Sequence, residues 1–477
     1  MSNAKNDASQ DTTIPLLPDD FDLFDYKADR GGILDMWLDH CADSWIYVTA
    51  ENWWYYWDKS HWRRDAGDLA KLGKELLRLF DDINTRCTAM LGDLAEDDPK
   101  EKFLKAMKAA SIREWRNINS VAQMAARHRF VEPNSLNGGN YFNFPNGTLD
   151  LESLETVTDH NRRHFITHCT DYDYDASAEC PRWEQFLEEV LVIRDGYEWK
   201  PDQQMIDLFQ ELIGYSLTTD TSHEIMVWLS GEGSNGKTVA LNVLNGLLNG
   251  LAISINFHAI GKPGNYDLAM IPGKRAIFST EADKGGSVVE WEIRRIVSGE
   301  PMLTRPIYGH PFEFKPVAKI WWAMNDKPKM TDTSNAIWRR LKLIPFNRTF
   351  ADGEKDVNLT GKLMAEKSGI FNWALMGLAR LKSNGKFTDA AQVLSAKEVY
   401  KMESNPVAMW CDERAKINGV WTMATPVYND FTRWGSLNGH NHITQTEFGR
   451  ELGRLNVSKR RNGSGNMYNL DLLYKDV

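Results

Sequence analysis

Hydrophobic and polar positions change period several times along this chain, and each change predicts an element. Between residues 45 and 62 the aromatics crowd together: Trp45, Tyr47, Trp53, Trp54, Tyr55, Tyr56, Trp57 and Trp62, broken at Asp58-Lys59-Ser60. Short aromatic runs around a polar break predict a β-hairpin or small sheet. Charge-rich stretches near 66–84 and 98–128 carry helical spacing, and residues 183–194 and 204–217 predict two further amphipathic helices. Residues 142–150 predict strand, turn and strand around Asn146-Gly147. Short apolar runs at 224–229, 276–280, 318–324 and after Arg340 predict buried strands, and the run opening at Val239 predicts a helix. Residues 355–383 read as helical up to the Ser383-Asn384-Gly385 break. Near the end, 425–434 begins with a proline at Pro426, and 444–455 begins with the Thr444/Glu447 capping pair. A basic hairpin follows, out through residues 457–463 and back through 467–470.

These elements predict an α/β core flanked by an N-terminal α+β domain and a C-terminal winged-helix domain. The 477 residues, 42% hydrophobic, are enough for about three domains. The expected divisions are a disordered tail at 1–20, an N-terminal domain at 21–198, the core at 199–350, a helical lid or linker at 351–400 and the winged helix at 401–477. A net charge of −10 does not advertise a nucleic-acid binder, so any such contact must come from local basic patches. Five scattered cysteines without a C-x-x-C pair suit a reducing compartment. With no apolar run of about 18 residues and no visible signal peptide, a soluble cytoplasmic protein without membrane partners is expected. Asp19, Asp20, Asp22 and Asp25 read as a solvated acidic segment, and His164, His168, Cys169 and Cys180 fit no standard zinc spacing.

The chemistry centres on Gly231-Glu232-Gly233-Ser234-Asn235-Gly236-Lys237-Thr238, set between a predicted strand and a predicted helix. Strand, G-x-x-x-x-G-K-T loop and helix in that order is the context a P-loop needs. Glycines let successive N–H groups turn inward toward phosphates, and the helix adds the positive end of its dipole. Lys237 is placed to reach the β- and γ-phosphates of ATP, and the Thr238 hydroxyl to ligate Mg²⁺. Downstream, Glu281 and Asp283 follow an apolar strand, where carboxylates would organise Mg²⁺ and take a proton from water. Asn325 ends the next strand, either holding the attacking water or simply capping the strand. Arg339 and Arg340 precede the last strand, as a charge-stabilising finger for a neighbouring subunit or as ordinary surface residues.

Two basic features point to DNA. The segment 298–315 reads as a hairpin tipped by Tyr308-Gly309-His310, with Arg305 and Lys315 on its arms, suited to pressing on a phosphate backbone. Lys459, Arg460 and Arg461 on the C-terminal hairpin would add phosphate contacts, unless that unit docks protein and leaves its tip solvated. The aromatic run at 45–62 has two readings also: bases stacked on a sheet, or, more simply, the core of a small domain.

In sum these motifs resemble the helicase portion of phage and plasmid primase–helicases, related to the poxvirus primase–helicase, within helicase superfamily 3. The resemblance rests on Gly231 to Thr238 as Walker A, Lys274 to Asp283 as Walker B, and Ser298 to Phe314 as the DNA-engaging hairpin. It continues through Ala323 to Pro328 as the sensor strand end and Trp338-Arg339-Arg340 as the arginine-finger segment. The Trp-rich segment near 53–62, Asn146 to Leu151 and Cys180-Pro181 match as well. It implies an AAA+-like core, a hexameric homo-oligomer, and ATP- and Mg²⁺-dependent 3′→5′ movement on single-stranded and forked DNA. A replicative role in a phage, plasmid or mobile element, in the cytoplasm of a bacterial host, follows from the same resemblance. No zinc cluster or acidic primase triad precedes the core, so primase or polymerase is expected from another chain. Two rival readings remain: an ATP-switched origin-binding or loading protein that does not unwind, and a metabolic P-loop kinase.

Overall fold

The computed structural model describes residues 16–67, 69–95, 97–154, 158–257, 260, 266–279, 290–307, 309–328, 330, 335–440, 442–463 and 465–473. Of the expected tail at 1–20, residues 1–15 lie outside the described residues. Leu17 is buried, its N–H donates to Asp82 Oδ2 at 3.0 Å, and its carbonyl accepts from Arg86.

The aromatic run forms a sheet. Helix α1 (Arg30–His40) leads into β1 (Trp45–Val48), β2 (Trp53–Trp57) and β3 (Trp62–Arg64). Helices α2 (Ala70–Asp93), α3 (Lys100–Ala110) and α4 (Trp115–Ala126) follow, then β4 (Phe130–Val131). The sheet order is β3-β2-β1-β4, antiparallel except where β4 joins β1 in parallel. Trp37, Trp45 and Trp54 are buried together, against the apolar stripe Leu72, Leu76, Leu79, Phe80 and Ile83 of α2. The Trp37 and Trp45 indoles both donate to Glu75 Oε1 at 2.9 Å, which satisfies two polar atoms that the aromatic core would otherwise strand. Half of the aromatic run, Trp45, Trp54, Tyr55 and Trp62, is therefore buried core, and Tyr47, Trp53, Tyr56 and Trp57 pack partly buried against it.

Next come the hairpin β5 (Tyr141–Phe144) and β6 (Gly147–Asp150), helix α5 (Pro181–Val190), hairpin β7 (Val192–Asp195) and β8 (Glu198–Pro201), and helix α6 (Gln203–Ser216). The helix expected over 183–194 stops at Val190, and its last residues turn into β7. Apolar positions continue through Leu191, Val192 and Ile193 with no breaker until Gly196, so periodicity alone does not mark the change.

The central sheet is built from β9 (Met226–Ser230), then α7 (Lys237–Leu248), β10 (Ala252–Ser254), β11 (Ala276–Ser279), α8 (Glu290–Val297), the hairpin β12 (Met302–Thr304) and β13 (Phe312–Phe314), β14 (Lys319–Met324), α9 (Asn335–Trp338) and β15 (Leu341–Pro345). Its order is β10-β11-β14-β9-β15, and every neighbouring pair is parallel. Every residue of β9, β11 and β14 is buried. That is why these strands read as continuous apolar runs: a parallel sheet covered on both faces has no polar side to alternate toward.

Helices α10 (Leu359–Ala365), α11 (Lys367–Asn384), α12 (Ala391–Glu403) and α13 (Pro406–Arg414) lead to β16 (Ala415–Met423), α14 (Ala424–Leu437), α15 (Gln445–Arg454), β17 (Lys459–Asn462) and β18 (Gly465–Leu472). The α15 start carries the expected reciprocal cap between Thr444 and Glu447. Gly385, with φ +66°, ends α11. The last three strands form a sheet in the order β16-β18-β17 over a core that includes Trp410, Phe431, Phe448 and Leu470.

One apolar cluster joins the middle of the chain, running from Phe142 and Phe144 through α5, α6, β9 and α7 to Phe371 and Trp373 on α11. Two buried cations staple it. Arg275 donates to the carbonyls of Leu217, Gly139 (2.9 Å) and Tyr141 (2.6 Å), and Lys319 Nζ donates to Thr218 O at 2.6 Å. Burial lowers the pKa of both, Arg275 to about 9, and the carbonyl oxygens around them favour the charged forms. Helices α6 and α11 approach closely enough to require glycine on each side. A Cβ at Gly214 would lie 2.3 Å from Ala374 O, and one at Gly377 would lie 2.4 Å from Gln210 O. Gly377→Ala is therefore expected to destabilise the protein by about 1–3 kcal/mol through overpacking. A lowered thermal unfolding midpoint checks this, and an unchanged midpoint contradicts it.

Candidate functional site

The loop after β9 is shaped by two glycines and one lysine. Gly231 has φ +148°, and a Cβ there would come within 2.4 Å of Phe346 O. Gly236 has φ +92°, and a Cβ there would crowd Val190 Cγ1 at 2.9 Å and the Phe186 ring. Neither position has room for a side chain. Between them, Glu232, Gly233 and Ser234 are exposed, whereas Asn235 is buried. Lys237 opens α7 and folds back into the loop. Its Nζ donates to Gly231 O (2.7 Å), Glu232 O (3.0 Å) and Asn235 Oδ1 (2.9 Å). Asn235 Nδ2 donates in turn to Phe346 O at 3.2 Å. The Phe346 N–H reaches Ser230 O at 2.8 Å, and the Phe350 N–H reaches Ser234 O at 2.9 Å, so the segment after β15 straps the loop down.

Burial pulls the Lys237 ammonium down to about 8. The group is caged by oxygens that an incoming anion can replace, at the first turn of a twelve-residue helix whose leading N–H groups lack intrahelical partners. Thr238, the next residue, is exposed. The arrangement is an anion cradle with a hydroxyl beside it.

The sheet register fixes what faces the cradle. Met324 pairs with Ser230, so Asn325, exposed just beyond β14, lies level with Gly231 on the same edge. Strand β11 ends on that edge at Ser279; Glu281 and Asp283 lie outside the described residues. Arg339 and Arg340 come immediately before β15, and Leu341 pairs with Met226 at the start of β9. They therefore sit at the opposite edge, about four residue steps or roughly 13 Å along the strand from the cradle. The two differ sharply. Arg340 is buried, donating to Ala336 O (2.7 Å) and Ser298 Oγ (2.9 Å) and pairing with Glu224 at 2.5 Å. The Arg339 side chain is 68% exposed and lies 3.6 Å from the same carboxylate.

A cavity of about 270 Å³ opens beside the cradle, lined by Phe186, Val190, Gly236, Val239, Phe350 and Leu359 together with charged groups that include Arg182. Apart from Gly236, sequence reasoning missed these residues as part of the site. They come from α5, the loop, α7 and the segment after β15, and no local spacing connects them. Arg182 Nη1 is buried without a hydrogen-bond partner among the described residues.

The basic features lie elsewhere. Arg305, His310 and Lys315 are exposed on or beside the β12–β13 hairpin; Tyr308 lies outside the described residues. Lys459, Arg460 and Arg461 are exposed on β17, with the Arg460 guanidinium 4.2 Å over the Trp421 ring. Among the described residues, no helix is long and apolar enough to cross a membrane.

Two family profiles match the chain: "D5 N terminal like" over residues 35–192, and a family of unknown function (DUF5906) over residues 229–340. Similar proteins include L207/L206 of Acanthamoeba polyphaga mimivirus, named as a candidate helicase. It is 25% identical over 319 residues, which cover 62% of this chain and 32% of that protein. Another is the candidate helicase 184R of Invertebrate iridescent virus 6, 24% identical over 339 residues, covering 61% of this chain and 34% of that protein. The match thus spans about a third of the length of these relatives. Among solved structures, the apo A form of the NrS-1 C terminal region is similar at a TM-score of 0.47 and 9% identity, covering 93% of this chain and 99% of that one.

The protonated lysine is the form that attracts an anion, so anion affinity is full below the Lys237 value of about 8 and is lost above it. Thermal stabilisation by sulfate, whose charge is constant in this range, is expected to fall as pH rises through about 8. Lys237→Met is expected to show little stabilisation at any pH. Stabilisation that does not vary with pH in the unaltered protein contradicts the assignment.

Proposed function

We propose that this chain, a member of the D5-type primase–helicase family, is an ATP-driven DNA helicase whose catalytic sites form between copies of itself. The observation that carries the proposal is the Lys237 ammonium caged by Gly231, Glu232 and Asn235 at the start of α7. We read residues 199–350 as a P-loop ATPase core of AAA+ type, 21–198 as the N-terminal domain, 351–400 as a helical lid and 401–477 as a winged helix.

In this reading ATP phosphates displace the loop oxygens from Lys237 and take the free N–H groups of α7. The base enters the apolar cavity against Phe186, Val190 and Phe350. The Thr238 hydroxyl, exposed beside the cradle, and the Glu281 carboxylate would hold Mg²⁺, which takes oxygen ligands, with Asp283 as the second acid of that segment. Bound there, Mg²⁺ would supply positive charge against the negative charge that develops on the phosphates. Glu281 takes the proton from the attacking water, and Asn325, level with the cradle, orients that water. Arg339 cannot fold back to its own cradle from the far edge of the sheet, but it is exposed and can meet the γ-phosphate of a neighbour. Arg340 holds that corner in place through Glu224 and Ser298.

Subunits arranged head to tail, each completing the next, close into a ring. By resemblance the ring has six copies and moves 3′→5′ on single-stranded DNA, within the replication of a phage, plasmid or related element. Arg305, Tyr308, His310 and Lys315 would grip the strand inside the ring, and Lys459, Arg460 and Arg461 would hold flanking phosphates.

Lys237→Ala is expected to abolish ATP hydrolysis; turnover retained in a purified preparation removes the P-loop assignment. Arg339→Ala is expected to bind ATP within a few-fold of the unaltered protein yet lose about 10³-fold in turnover, the scale of a missing arginine finger. Steady-state hydrolysis alongside nucleotide titration measures both, and near-normal turnover rejects the finger.

A further inference from the structure

The aromatic sheet leaves one opening unexplained by its core. A cavity of about 410 Å³ lies between β1, β2 and α4, lined by Tyr47, Trp53, Trp54 and Trp115 and by the amides Asn52, Asn119 and Gln123. Its size is within the range of small-ligand pockets, about 300–1,000 Å³. Trp54 belongs to the core, but Tyr47 and Trp53 are only partly buried, and Trp115 at the first position of α4 is 54% exposed.

The polar groups suit a base edge. Asn119 and Gln123 stand one turn apart on α4, and neither side chain makes a hydrogen bond among the described residues. Each offers an amide donor and an acceptor. The one carboxylate in the cavity wall, Asp65, is taken up by α2: its oxygens accept from the N–H groups of Lys71 (2.9 Å) and Leu72 (3.1 Å). Its charge is thus spent on a helix start. Among the described residues no cation lines the cavity itself, but three arginines stand next to lining residues in the chain. The Arg64 guanidinium lies 3.9 Å over the Trp53 ring; Arg116, exposed on α4, lies 4.0 Å from Glu114, and Arg127 is exposed just past the end of α4.

Aromatic faces, unpartnered amides and neighbouring arginines are together the chemistry that receives an unstacked nucleobase with its phosphates outside. We propose that this cavity binds a base of single-stranded DNA, giving the N-terminal region its own hold on an unpaired strand. DNA is taken as the polymer from the functional reading above, but the contact itself requires neither ATP nor the Lys237 cradle.

The test uses the full chain without nucleotide and an oligothymidylate carrying one 5-iododeoxyuridine. After irradiation, adducts are expected on Tyr47, Trp53 or Trp115, identified by peptide mass. Trp115→Ala, at an exposed position, is expected to weaken oligonucleotide binding about fivefold to a hundredfold and to remove those adducts. Asn119→Ala/Gln123→Ala is expected to reduce them with the aromatics intact. Adducts confined to other segments, or no adducts, overturn the proposal. Adducts that free dTTP or ATP suppresses as effectively as unlabelled oligonucleotide also overturn it, making the cavity a free-nucleotide site. Because the adducts are first mapped with no nucleotide present, that result is independent of whether Lys237→Ala loses turnover.

Discussion

Five strands running the same way place every carboxyl end on one edge of the central sheet, and the candidate chemistry follows from that constraint. The cradle must follow β9, and Asn325 must follow β14 beside it, because Met324 and Ser230 are paired. The same register sends residues that precede a strand to the far edge. Arg339 is held there with no path to its own cradle. A parallel sheet thus keeps Arg339 and the cradle at opposite ends of the strands within one molecule, and the proposed function requires them to meet between molecules.

At the cradle, geometry and electrostatics work against each other in a useful way. The loop excludes side chains at Gly231 and Gly236, which brings backbone close enough to bury the Lys237 ammonium. Burial disfavours the charge and three oxygens hold it. A polyanion improves on those oxygens without requiring the backbone to rebuild, because Phe346 and Phe350 already fasten the loop from outside. This is preorganisation: the folded protein has already met the cost of desolvating the lysine before any ligand arrives.

Local signals in the sequence were readable where one segment carries the whole message. The Gly231–Thr238 spacing, the buried apolar strands and the Thr444/Glu447 cap each depend on neighbours a few residues away. Features assembled from distant segments were not. Arg275 and Lys319 look like surface cations in the sequence, yet both are buried and held by carbonyls from other elements. Arg339 and Arg340 are adjacent and chemically identical, and only Glu224 and Ser298 distinguish them. The cavity wall formed by Phe186 and Phe350 spans α5 and the segment after β15. The aromatic run announced a sheet correctly, but which rings would be core and which would border an opening depended on α4, far along the chain.

The central claim is that one molecule cannot complete its own site. Its most direct measurement is ATP turnover per chain as a function of protein concentration, with assembly state followed by light scattering on the same samples. The account predicts that turnover per chain rises steeply as assemblies form and is negligible for isolated chains. Full turnover per chain in a preparation that stays monomeric at every concentration contradicts it.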